Sequence, residues 1–159
     1  MEAVSVRFIS RAETVPLRRA RLNPDLTPEE AERNAQGHTD AFQCGTFIGG
    51  TLLSVVTFHP EAVPSHPGGL SPPPFSHPWR LRALATAAWQ EGKGLARLAI
   101  GFGLRHLFST APPGSTGVWL YGRAAAYGFY DRLGFSRAGL TFTTDTRPHD
   151  LFWICGPLA

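Results

Sequence analysis

Apolar and polar side chains alternate over residues 4–9, the period of a half-buried strand. Residues 13–22 read as a short helix. Thr27-Pro28-Glu29-Glu30 is a second helix start, with threonine as cap, proline at the first helical position and Glu30 where a capping box needs it. Residues 41–48 and 51–59 read as two strands. Gly49 and Gly50 between them tolerate the positive φ that a two-residue hairpin requires. Residues 60–78 hold seven of the chain's 14 prolines, and no regular element survives that density. An apolar run over 79–86 predicts a strand. Residues 95–108 predict a helix that is apolar almost all round, with Arg97, Gly101, Arg105 and Ser109 marking one narrow wet stripe. Pro112-Pro113-Gly114 breaks the chain before a short strand at 117–121. In residues 124–133 Ala126, Phe129, Tyr130 and Leu133 share one helical face, and Gly134 caps the helix in the left-handed conformation. Strands at 135–142 and 151–155 complete a mixed α/β chain with one three-layer domain.

At 159 residues the chain suits a single domain with a substantial core. Its 43% hydrophobic content and mean hydropathy of −0.09 are those of a soluble globular protein. No apolar stretch approaches a bilayer span, and no basic region followed by an apolar core opens the sequence. A cytoplasmic location without membrane association is expected. The net charge of +3 comes from 14 arginines and one lysine, Lys93. The arginines are scattered apart from Arg18, Arg19 and Arg21, which read as a solvated helix face, so nucleic acid is not expected as a partner. Cys44 and Cys155 lie in apolar, strand-like segments and are expected as buried thiols. The six histidines form no pair at helical ligand spacing, and no metal site is expected.

The candidate chemistry centres on Glu91-Gly92-Lys93-Gly94-Leu95-Ala96, between the strand at 79–86 and the helix at 95–108. The first turn of a helix leaves backbone N–H groups unpaired and carries partial positive charge. Glycines let an anion approach that backbone closely. The residue after Lys93 is Gly94, so the P-loop hydroxyl is missing. Arg97 stands where the dinucleotide fingerprint needs its third glycine. What remains is a turn for a pyrophosphate needing neither metal nor ribose carboxylate, or else a plain glycine-rich connection.

Residues 91–96, following a strand, resemble the acetyl-coenzyme A loop of the GCN5-related N-acetyltransferase (GNAT) superfamily, whose pattern is Arg/Gln-x-x-Gly-x-Gly/Ala. Residues 126–135 resemble that superfamily's Ala-x-x-Phe-Tyr-x-x-Leu-Gly-Phe segment. The two matches span about residues 81–139, and the order of elements fits the whole chain. The resemblance implies an α/β (α+β) fold: one GNAT-like domain over 1–159, with a mixed central sheet of about six to seven strands flanked by helices. Two positions depart from the pattern. Glu91 replaces the usual Arg or Gln, a carboxylate beside a pyrophosphate that must turn away or pair, for instance with Arg97. Arg123 stands where an Asn often precedes the second helix.

The resemblance implies transfer of an acetyl group from acetyl-coenzyme A to a primary amine of a small molecule or peptide N-terminus. A non-catalytic acyl-coenzyme A sensor on the same fold is the alternative. The cofactor would lie along Leu84, Ala85 and Thr86, whose main chain would hold the thioester carbonyl, and on Glu91, Gly92, Lys93, Gly94, Leu95, Ala96 and Arg123. Tyr130 matches the general acid that protonates the departing thiolate; its other reading is a core tyrosine. No carboxylate on the strand at 79–86 offers a base. His59 and His149 are candidates, each with an exposed or capping role as the alternative. Arg18 and Arg82 are candidates for binding an acidic substrate group. The Pro-rich segment is either a lid or an inert loop, and a homodimer is compatible with the fold.

Overall fold

The computed structural model describes residues 2–34, 38–66, 68–110, 114–140, 142–144 and 147–158. The expected break at Pro112-Pro113, one proline of the long loop (Pro67) and residue 141 of the expected strand lie outside these. The chain divides into two compact units, Met1–Pro60 with Leu81–Gly103, and Glu61–Arg80 with Leu104–Ala159.

The first unit holds β1 (Val4–Ile9), α1 (Arg11–Leu22), α2 (Pro28–Asn34), β2 (Phe42–Ile48) and β3 (Thr51–Pro60). It also takes the end of β4 (His77–Thr86) and the start of α3 (Leu95–Thr110). β1, β2 and β3 form an antiparallel ladder, with Val6 opposite Thr46 and Cys44 opposite Val56. Gly49 and Gly50 turn the β2–β3 hairpin at φ of +56° and +85°, as the sequence requires. Both α1 and α2 begin with capping boxes. At α2 the expected pair is present: the Glu30 N–H donates to Thr27 Oγ1 at 3.2 Å, and the Thr27 N–H donates to Glu30 Oε1 at 3.1 Å. At α1 the box is Ser10/Glu13, so this helix begins two residues earlier than expected.

Ile9, Phe47, Val55 and Ala85 form one buried cluster, covered by Leu17, Leu22 and Leu52. Leu53, Ala87 and Leu95 form another, which seats the first residue of α3. Gly103 lets the helix approach β3: a Cβ there would overlap the ring of Phe58, which is fully buried and stacked on Phe42 with centroids 5.1 Å apart. Cys44 is buried as expected.

In the second unit the start of β4 pairs parallel with β5 (Thr116–Arg123), and β5 pairs antiparallel with β8 (Arg147–Ile154). β6 (Ser136–Arg137) and β7 (Phe142–Thr144) both add to β8. A 3-10 turn at Ala124–Ala126 leads into α4 (Tyr127–Leu133), closed by Gly134 at φ +96°. The single strand expected over 135–142 is broken. Residues 138–140 instead bend around the carboxylate of Asp150, which is 1% exposed. It accepts from the backbone N–H groups of Gly139 (3.1 Å), Leu140 (3.1 Å) and Leu151 (2.8 Å). Gly139 takes φ +79° to allow this. Cys155 corrects a second expectation. It lies just beyond the end of β8 and is exposed.

The Pro-rich loop is anchored within its own unit. The Trp119 indole N–H donates to Glu61 O at 2.9 Å, the Leu70 N–H donates to Ala138 O at 2.9 Å, and His66 Nε2 bonds the Tyr121 hydroxyl at 2.9 Å. Together with Leu140 and Leu151 it frames a cavity of about 390 Å³.

Two substitutions test this account. Gly103→Ala should lower stability in urea unfolding by about 1–3 kcal/mol, because overpacking against the immobile Phe58 outweighs the gain in helix propensity. Ser10→Ala should cost about 1 kcal/mol through loss of the cap of α1.

Candidate functional site

β4 carries Leu84, Ala85 and Thr86 into the first unit, and the strand is distorted just before them. Ala83 takes φ +54°, a left-handed conformation rare for a residue with a Cβ and costing about 1–2 kcal/mol. Such a residue departs from regular strand geometry and distorts β4 locally, although the strand continues to Thr86. Past it Thr86 is pinned by a 2.9 Å hydroxyl contact with Ser54 of β3, and the Ala87 N–H donates to Leu53 O at 2.9 Å. A 3-10 turn at Ala88–Gln90 then leads into the glycine turn.

Residues 91–94 are exposed, and Gly92 and Gly94 sit at φ +80° and +78°. A Cβ built on either would meet nothing within 4 Å. These positions therefore need glycine for backbone conformation, and open space lies over both. Behind them α3 is firmly held. Leu95 is 3% exposed, and Thr46 Oγ1 donates to Leu95 O at 2.9 Å. No acidic residue lies in the first turn of α3. An open glycine turn, a rigid helix start and the absence of acid in that turn fit an anionic pyrophosphate.

Glu91 pairs with Arg21 of α1. Both side chains are substantially exposed, so the pair adds little stability. Its effect is to hold the carboxylate toward α1 with its charge balanced. The partner is thus Arg21 rather than Arg97. The arginine group on α1 is accordingly more than a solvated face. Arg19 Nε donates to Leu26 O at 2.6 Å, Arg21 holds Glu91, and Arg18 is half-buried.

Arg18 of α1 and Arg82 of β4 both belong to the first unit. Burial lowers the pKa of Arg18, and the charge of Arg82 lowers it further. Arg82 Nη1 lies 3.4 Å from His38 Nε2, and the His38 ring stacks on His59 with centroids 3.6 Å apart and planes within 5°. His59 is fully buried, so the exposed or capping role does not apply to it. Sequence reading missed His38, which stands outside any periodic segment.

The other expected residues belong to the second unit. Tyr130 is 7% exposed, set edge-on to Phe129 and Phe135 with centroids 5.2 and 5.8 Å away and tilted against Phe152. Burial pushes its phenol up to about 12, opposed in part by the charge of Arg123. The hydroxyl is therefore protonated throughout the neutral range. Tyr130 packs over Gly122, where a Cβ would come within 3.0 Å of its ring. Arg123 is exposed at the end of β5, directly opposite His149 on β8. Among the described residues no helix is long and apolar enough to cross a membrane.

No protein-family model matches the chain. It is 26% identical over 141 residues to an uncharacterized N-acetyltransferase, YitI, of Bacillus subtilis, a match covering 87% of each chain. Its fold is similar to that of a putative N-acetyltransferase from Lactobacillus plantarum, with a TM-score of 0.71, 16% identity and 99% of both chains covered. It is also similar to a putative acetyltransferase of the GNAT family from Desulfovibrio desulfuricans, with a TM-score of 0.64, 18% identity, and 96% and 98% of the two chains covered. The full-length structural matches show that the chain has the fold of GCN5-related N-acetyltransferases, and its sequence is similar to that of an N-acetyltransferase.

Proposed function

We propose that the protein transfers an acetyl group from acetyl-coenzyme A to a primary amine of a small molecule or a peptide N-terminus. The observation that carries this reading is the turn at Gly92 and Gly94, left-handed at both glycines, open above both, and opening directly onto the start of α3. Gly92, Lys93, Gly94, Leu95 and Ala96 would hold the pyrophosphate through backbone N–H groups, with Glu91 turned aside by Arg21 and Arg123 as a further contact. When bound, acetyl-coenzyme A supplies an activated thioester.

The main chain of Leu84, Ala85 and Thr86 would orient the acyl carbonyl. A preorganised N–H aimed at the developing oxyanion is worth about 3 kcal/mol. The amine attacks in its neutral form, so a proton must leave it, and His59 and His149 are the candidates for this work. The departing thiolate needs a proton in turn, and Tyr130, whose hydroxyl is kept protonated by burial, would give it. Arg18 and Arg82 lie in the same unit as the glycine turn and supply positive charge there.

Saturating acetyl-coenzyme A should raise the melting temperature, because a ligand of the native state alone stabilises it by mass action. Gly94→Asp should abolish that shift. Gly114→Asp, at a glycine with the same φ of +78°, controls for backbone strain and should keep it. An unchanged wild-type midpoint would overturn cofactor binding.

Tyr130→Phe should lower turnover about 10²- to 10⁴-fold while leaving the acetyl-coenzyme A melting shift intact, since only the hydroxyl is lost. The check is coenzyme A release across amino acids, polyamines, aminoglycosides and peptide N-termini. Near-normal turnover by this variant would make Tyr130 a packing residue.

A further inference from the structure

We propose, on the acyl-transfer reading above, that the cavity beneath the Pro-rich loop is the acceptor pocket, and that the acceptor is a small amine with an uncharged aliphatic or aromatic body. All the residues that line the cavity belong to the second unit.

Register places the cavity on one face of the β5–β8 ladder. Directly opposite residues of an antiparallel pair project to the same side, as do residues two apart on one strand. Trp119 and Tyr121 of β5 therefore share a face with Trp153, Leu151 and His149 of β8. The Pro-rich loop lies over this face. A Cβ on Gly117 would come within 2.4 Å of the Phe75 ring, and one on Gly69 within 2.7 Å of Ala138 O. With the bonds made by Leu70 and His66, these close approaches make the loop a fixed wall rather than a lid.

The lining selects the occupant. No Asp, Glu, Lys or Arg is among the described residues around the cavity. Pro72, Pro73, Pro74, Phe75, Leu140 and Leu151 supply apolar walls, and His66, held on the Tyr121 hydroxyl, supplies a polar edge. Arg80, over the rings of Trp119 and Tyr121, is paired with Glu61 at 3.0 Å. A polycation or a sugar would lose water here with no charge to replace it, whereas an apolar body gains by the transfer. Leu70, which also lines the cavity, is 69% exposed and leaves apolar surface for an occupant to cover. The volume of about 390 Å³ is at the small end of the range for ligand pockets, about 300–1,000 Å³, and suits one ring or branched chain.

His149 ties the cavity to the chemistry. It stands two residues from Leu151 on the same face of β8, about 7 Å along the strand. Of the two candidate bases it is the one in this unit. Tyr130 packs against Gly122 and Phe152, whose register puts them on the opposite face. The acceptor nitrogen would bond to the acetyl carbon as the carbon–sulfur bond breaks, its proton passing to His149 while Tyr130 protonates the sulfur.

The test sets phenethylamine and isopentylamine against cadaverine and ethanolamine. At least one apolar amine should raise the wild-type melting temperature, alone or with coenzyme A present. It should also show at least about tenfold higher kcat/KM in coenzyme A release than either polar amine, a factor that two buried methylenes supply. Ser71→Trp and Leu70→Glu fill or recharge the cavity from exposed positions. Both should keep the wild-type melting temperature and its acetyl-coenzyme A shift. Ser71→Trp should abolish the shift given by phenethylamine. Leu70→Glu should raise KM for phenethylamine at least about tenfold and lower it for cadaverine. The proposal is overturned if neither apolar amine shifts the wild-type melt, if a polar amine is preferred, or if a folded variant binds phenethylamine as wild type does. Failure of the acyl-transfer reading has a different signature. Acetyl-coenzyme A then leaves the melt unmoved, while phenethylamine still shifts wild type and not Ser71→Trp.

Discussion

The contact between Gly103 and Phe58 is the constraint on which the first unit depends. With no Cβ between them, the helix backbone lies directly against the aromatic ring of β3. Phe58 cannot give way, because it is fully buried and stacked on Phe42. From that fixed point α3 runs back to Leu95, which is seated against Leu53 and Ala87 and tied to Thr46. A helix fixed at both places presents its unpaired N–H groups in one direction only. The exposed glycine turn needs no rigidity of its own, since the elements on either side supply it.

Charge in this unit is arranged with similar economy. Glu91 would oppose a pyrophosphate, and Arg21 reaches across from α1 to balance it. One turn earlier on the same helix, Arg18 is half-buried, and its burial and the charge of Arg82 both lower its pKa.

Local signals in the sequence were legible where local physics decides the structure. The hairpin at Gly49-Gly50, the Thr27/Glu30 box, the left-handed cap at Gly134 and the glycine turn all depend on a few neighbouring residues. The Ser10/Glu13 box was equally readable and marks the true start of α1. What escaped depends on distant partners. Residues 135–142 have strand composition, but Asp150, far along the chain, captures the N–H groups of Gly139 and Leu140. Nothing near Arg21 announces Glu91, and nothing near His38 announces His59 or Arg82. The left-handed Ala83 is invisible for another reason. Alanine has no preference for that conformation, so the surrounding strand must impose it.

The break at Asp150 also bears on how copies of the chain behave toward one another. A strand with unused backbone donors along its rim is a template for pairing with another molecule. In the second unit β6 is only two residues long, and the residues that would extend it have turned two of their N–H groups inward onto a buried carboxylate. The same carboxylate that shapes the bend therefore takes two backbone donors away from the rim beside β6, where a neighbouring strand could otherwise pair.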